Sequence, residues 1–150
     1  MRAGQIAEEF PVVGVETSAL VAARLIAQGR QPGIVVTGAD GSPKAVLPAS
    51  QVVRIMVPDY VQADPALARV LGEVSAEKIA ERLRRATVAD LLPEPPMDLA
   101  VVKPDDSLIE AAAIMARLRS PLCAVVDGKR VVGVITAAHL LGLVCRDEPS

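Results

Sequence analysis

Few residues in this sequence could carry chemistry, and their spacing decides which reactions are open to them. His139 is the only histidine and stands three residues after Thr136. A hydroxyl and an imidazole make part of a nucleophile and base arrangement, but nothing beside them supplies the group that would orient the base. The other candidate nucleophiles, Cys123 and Cys145, would both have to borrow the same histidine. Catalysis is therefore not expected. One histidine and two separated cysteines cannot close a structural metal site, and the acidic residues are scattered through helical segments, so no metal and no resident cofactor are expected. Gly38-Ala39-Asp40-Gly41 lies inside a hairpin rather than between a strand and a crossover helix, which makes it a turn and not a phosphate loop.

Whatever positions these groups is built from aliphatic side chains. The chain has 150 residues, 51% of them hydrophobic but only 1% aromatic, with a net charge of -2. Phe10 and Tyr60 are its only aromatic residues, too few to stack bases, and the charge has the wrong sign for a nucleic-acid partner. Residues 1–9 carry no apolar stretch behind Arg2, so no secretory signal is read and a cytoplasmic location is expected. The longest apolar run, Val131 to Cys145, contains His139 and falls short of the roughly 20 residues of a membrane span, so no membrane insertion is expected. The two cysteines read as small reduced side chains in apolar surroundings.

The sequence repeats itself. Ala19 to Ala27 followed by Pro32-Gly33-Ile34-Val35-Val36 has its counterpart in Leu108 to Ala116 followed by Pro121-Leu122-Cys123-Ala124-Val125. Each copy continues into an Asp-Gly pair, Asp40-Gly41 or Asp127-Gly128, and then a second apolar run ending in a short helix. Asp-Gly between β-branched runs is a hairpin signal because glycine tolerates positive φ. With opening strands at Val12 to Val15 and Leu99 to Lys103, each copy reads as βαββα, giving an α/β (α+β) fold of two repeats with pseudo-two-fold symmetry. Asp106 or Ser107 caps the helix of the second copy. Both long helices are apolar nearly all round, the pattern of a helix buried on every side, and surface that the other repeat leaves open suits a contact between two chains.

The boundaries follow from this reading: a first repeat over 1–57, a helical segment over 58–86, a second repeat over 87–145 and a disordered tail over 146–150. Within the connecting segment Asp64-Pro65 opens a short helix through Leu71, and a second helix starts near Ser75 and ends at Arg84-Arg85. Thr87-Val88-Ala89-Asp90 has the form of a capping box.

The order Pro104-Asp105-Asp106-Ser107-Leu108, Glu110-Ala111-Ala112, Ser120-Pro121-Leu122, Val125-Val126-Asp127-Gly128 and Gly133-Val134-Ile135-Thr136 resembles a CBS domain along nearly its full length. The first repeat resembles a more diverged copy. The resemblance implies a tandem CBS pair, a Bateman module, that dimerises and regulates a separate effector protein by binding adenine nucleotides or related ligands between its repeats.

The ligand signature of that family is a glycine, a serine or threonine three residues on, and an aspartate three further. Here the positions read Gly133, Thr136 and His139, and in the first repeat Ala45, Pro48 and Gln51. Thr136 at the opening of the last helix would offer a phosphate its hydroxyl, free N–H groups and the helix dipole, although a threonine there serves equally as a plain cap. His139 would accept a ribose hydrogen bond more weakly than aspartate, or have no role beyond its helix. The expected ligand is AMP, ADP, ATP or S-adenosylmethionine, with the adenine against Val101, Val102, Ser120, Pro121 and Leu122. The phosphate would lie near Thr136, and Gly133 would let the backbone come close to the ligand. Lys103 could reach a phosphate, though a lysine after a strand is ordinarily solvated. Pro48 removes a hydroxyl and a donor, so the first repeat is expected to hold no nucleotide. The alternative function is a structural or dimerisation module that has lost its ligand.

Overall fold

A computed structural model describes residues 1–57, 59–71 and 76–146, with the side chains of residues 70 and 71 left aside. Its elements run α1 (Ala3–Ile6), β1 (Val13–Gly14), α2 (Ala19–Gly29), β2 (Gly33–Thr37), β3 (Pro43–Pro48), α3 (Ala49–Val53), α4 (Asp59–Ala63), α5 (Ala68–Leu71), α6 (Ala76–Arg85), α7 (Val88–Leu91), β4 (Ala100–Val102), α8 (Leu108–Leu118), β5 (Leu122–Asp127), β6 (Arg130–Thr136) and α9 (Ala137–Val144). The expected start near Ser75 and residues 147–150 of the expected tail lie outside the described residues.

The two repeats build two three-stranded sheets of the same topology. β1 runs parallel to β2 with Val13 opposite Val36, and β4 parallel to β5 with Val102 opposite Val125. Each middle strand then pairs antiparallel with the strand after it through the expected turn, where Gly41 and Gly128 adopt φ of 81° and 65°. In the first turn the hydroxyl and the N–H of Ser42 both donate to Asp40, at 2.6 and 3.1 Å. They hold its carboxyl below the usual range.

Strand residues alternate between faces, and here both faces are buried, which is why the strands read as continuous apolar runs. Ile34, Val36, Ala45 and Leu47 point into a core with α2, while Cys123, Val125 and Ile135 point into a second core with α8. The opposite faces meet each other. Val35 and Val46 of one sheet pack on Leu122, Ala124, Val126 and Val134 of the other, so the repeats join sheet to sheet. The long helices therefore lie outside, and they are not buried on every side as their composition suggests. Val21 on α2 is 43% exposed and Ile109 on α8 is 72% exposed. Part of α2 is covered by α6, whose Leu83 and Ile79 join the first core.

The cores are interlaced in sequence. Ala3 and Ile6 of α1 are buried in the second core, whereas Val88 and Leu91 of α7 are buried in the first. Ala3 N–H donates to Asp106 O at 2.7 Å and Gly4 N–H to Pro104 O at 2.9 Å. In the same way Ala19 N–H donates to Ala86 O and Val88 N–H to Thr17 O. The Thr87 and Asp90 capping box forms as expected, Ser107 rather than Asp106 caps α8 and makes a capping box with Glu110, and Asp64 caps the turn beginning at Pro65. Neither α1 nor α4 is expected from the sequence.

Candidate functional site

Thr136 ends β6 and caps α9. Its Oγ1 accepts a hydrogen bond from His139 N–H at 3.1 Å, while Ala137 N–H donates to Pro121 O at 2.9 Å. A helix leaves its first N–H groups without internal partners. In this first turn only Ala138 N–H lacks an acceptor among the described residues.

Ala138 lines a cleft of about 500 Å³ between the repeats, with Pro121 and residues 136–138 on one wall and Arg30, Gln31 and Pro32 on the other. Arg30 terminates α2 in the left-handed region at φ 51°, and Arg119 ends α8 in the same way at φ 53°. Gln31 folds back to donate to Gly29 O at 2.8 Å. The Arg30 side chain has no ion pair or hydrogen bond among the described residues, so it is available to a ligand as well as offsetting the negative end of α2. A guanidinium, a helix N-terminus and a hydroxyl with its proton still to donate face one space. Two proline rings give that space apolar walls. This combination suits an anionic group carried on a flat apolar body.

The residues singled out from the sequence divide sharply. Pro121 and Thr136 reach the cleft. Val101 lies exposed on β4, and Val102 is buried in the second core. Lys103 is exposed, with its N–H bound to Asp106 Oδ2 at 2.8 Å. Ser120 is buried and donates its hydroxyl to Leu122 O at 2.6 Å, and Leu122 lies in the layer between the sheets. His139 is turned to Glu8, with Nδ1 3.3 Å from Oε1. Gly133 does allow a close approach, but by the chain itself: a Cβ there would sit 2.8 Å from Ala7 Cβ and 3.1 Å from Glu8 O. In the first repeat Pro48 caps α3 with no side-chain bond, and Gln51 donates to Leu91 O at 3.1 Å.

Sequence reasoning missed Arg30, Gln31, Pro32 and Glu8. The signal available for the first three was the alignment of Pro32 with Pro121, since a pseudo-two-fold axis sets the two helix-to-strand junctions side by side. Cys123 is fully buried and its thiol is pushed up to about 12, first by burial and then by the nearby Asp106 charge. Such a thiol is inert. No helix among the described residues is long and apolar enough to cross a membrane.

Two βαββα units joined sheet to sheet, with an anion-favouring cleft at their junction, define a paired-repeat α/β module. The profile of the CBS domain matches residues 88–146. The chain is 55% identical to a CBS domain-containing protein of unknown function from Kribbella flavida, over 96% of this chain and 98% of that one, with a TM-score of 0.87. The chain belongs to the CBS domain family, and its expected fold is the observed one. It is also similar in fold to the Arabidopsis thaliana CBS-pair protein CBSX2 solved in complex with AMP, at 17% identity and TM-score 0.64, covering 97% and 96% of the two chains. A third likeness, at 14% identity and TM-score 0.64 over 95% and 85%, is to the CBS domain of a bacterial CNNM/CorC family Mg2+ transporter in complex with ATP. Curated proteins give no match.

Proposed function

We propose that the chain is a cytoplasmic CBS-pair regulatory module that binds an adenosine phosphate in the cleft between Arg30 and Thr136 and passes its occupancy to a separate effector protein. The observation that carries this reading is that Arg30, whose side chain has no partner among the described residues, lines the same cleft as the first turn of α9, between the rings of Pro32 and Pro121. Two proteins of the same fold hold AMP and ATP. AMP, ADP and ATP suit the cationic wall better than S-adenosylmethionine, which has no phosphate. Calorimetry with all four ligands tests it. A charge-assisted hydrogen bond contributes about 1.5–3 kcal/mol, so Arg30→Ala should weaken the phosphates roughly tenfold to a hundredfold and leave S-adenosylmethionine little changed. If none of the four binds the parent protein, the reading fails.

The second reading, a dimerisation module, is favoured by exposed apolar side chains on α8 and α9. Ile109 on α8 and Leu141 and Val144 on α9 are 72%, 59% and 63% exposed, and α9 has no buried residue. Large apolar side chains left exposed on these two helices suit a homodimer contact, and a homodimer is compatible with ligand binding.

A further inference from the structure

The first residues of the chain are tied to the same helical turn that faces the cleft. Residues 1–8 lie across the second repeat, with Ala3 and Gly4 N–H bound to Asp106 O and Pro104 O and Met1 O accepting from Leu108 N–H. At the far end Glu8 and Val134 exchange two main-chain hydrogen bonds of 2.9 and 2.8 Å. The Glu8 carboxylate then meets His139 Nδ1 at 3.3 Å, and His139 N–H is bound to the Thr136 hydroxyl at 3.1 Å. Thr136 lines the cleft; His139 and Glu8 do not. A chain of direct contacts therefore runs from the cleft to the segment through a single turn, Thr136 to His139.

We propose that residues 1–8 are a regulatory strap whose seating on β6 and α9 is coupled to occupancy of the cleft, with Glu8 and His139 as positioning residues. This rests on the ligand reading of the cleft. An anion accepting from Ala138 N–H and from the Thr136 hydroxyl fixes the first turn of α9. A fixed turn holds the His139 ring against Glu8 and so holds the strap down. Coupling is reciprocal, so a seated strap also tightens the ligand. Glu8 N–H, Ala7 and Val134 are the places where release would first be seen, because they form the strap's last contacts with β6.

Amide hydrogen exchange on the full chain, with and without AMP and ATP, tests this, with Glu8 and Gly4 as reporters and Val125 on β5 as the reference for global opening. Nucleotide should slow Glu8 relative to Val125 by about fivefold or more, and by less than about twofold in Glu8→Gln or His139→Ala, both of which keep the cleft wall intact. Protection of Ala138 by nucleotide with no change at Glu8 overturns the strap while leaving the ligand reading standing. Absence of protection at Ala138 overturns the ligand reading instead. The strap is then judged without ligand: Thr136→Ala should speed exchange at Glu8 relative to Val125 about fivefold, with less than the additive effect in Glu8→Gln/Thr136→Ala. Additive effects overturn the coupling.

Discussion

Gly133→Ala puts the seating of the first segment on β6 to a direct test. The added Cβ would sit 2.8 Å from Ala7 Cβ and 3.1 Å from Glu8 O. Two carbon atoms settle at about 3.5–4.0 Å, so the segment must move by close to an ångström. That displacement acts on the two hydrogen bonds of 2.9 and 2.8 Å between Glu8 and Val134. Overpacking of this kind costs about 1–3 kcal/mol, and weakening one of the hydrogen bonds adds about 1 kcal/mol, giving a loss of about 2–4 kcal/mol. For a chain of this size each kcal/mol moves Tm by about 2–4 °C, so a fall of roughly 4–16 °C is expected in a thermal melt. Ala7→Gly removes the nearest obstruction. Alone it should cost less than about 1 kcal/mol, and combined with Gly133→Ala it should restore at least about 1 kcal/mol. A Gly133→Ala protein that loses under about 0.5 kcal/mol, or a double variant that is simply additive, would refute the contact as described.

Arg30→Gly and Arg119→Gly each replace a residue held at positive φ, which costs about 1 kcal/mol, and each should raise stability in urea melts by about 0.5–1 kcal/mol; only Arg30→Gly should also weaken nucleotide binding. The raised Cys123 thiol stays protonated in the folded chain while an unfolded chain ionises it near 9, so stability should fall by about 1.4 kcal/mol per pH unit as pH rises from about 9 to about 12. Parallel melts of Cys123→Ala should lack that component, and a thiol reagent at neutral pH should modify the exposed Cys145 and leave Cys123 intact until unfolding. Leu141→Asp, at an exposed site on α9, should leave Tm within a few degrees but convert a homodimer to monomers in sedimentation at about tens of micromolar; a parent already monomeric there refutes the dimer.

The features legible in the sequence are those whose cause is local. Asp40-Gly41 and Asp127-Gly128 announce hairpins because a turn needs positive φ, and Thr87 with Asp90 announces a helix start because its N–H groups need acceptors. The fold followed because these signals recur in one order twice. What stayed hidden depends on distant partners. The four residues of α1 are too short to show a period, and Ala3 is buried only because Asp106 and Pro104 bring the second core to it. Arg30 carries no motif, and it becomes a cleft residue only when the sheets meet face to face. His139 occupies the position of the family's aspartate in the sequence, but its neighbour Glu8 lies more than a hundred residues away and no local signal announces that contact.

The crossing of α1 and α7 between the cores has a consequence for how the chain is made. During synthesis the segment of residues 1–8 has no place to settle until β6, more than a hundred residues later, is available to receive Glu8. The first core can close once α7 has left the ribosome, whereas Ala3 and Ile6 remain exposed through most of elongation and then close one of the longest loops in the molecule. Severing the chain between residues 57 and 87 would leave each part lacking an apolar piece that the other holds. The duplicated sequence thus yields two cores that each need a segment from the far side of the chain to be complete.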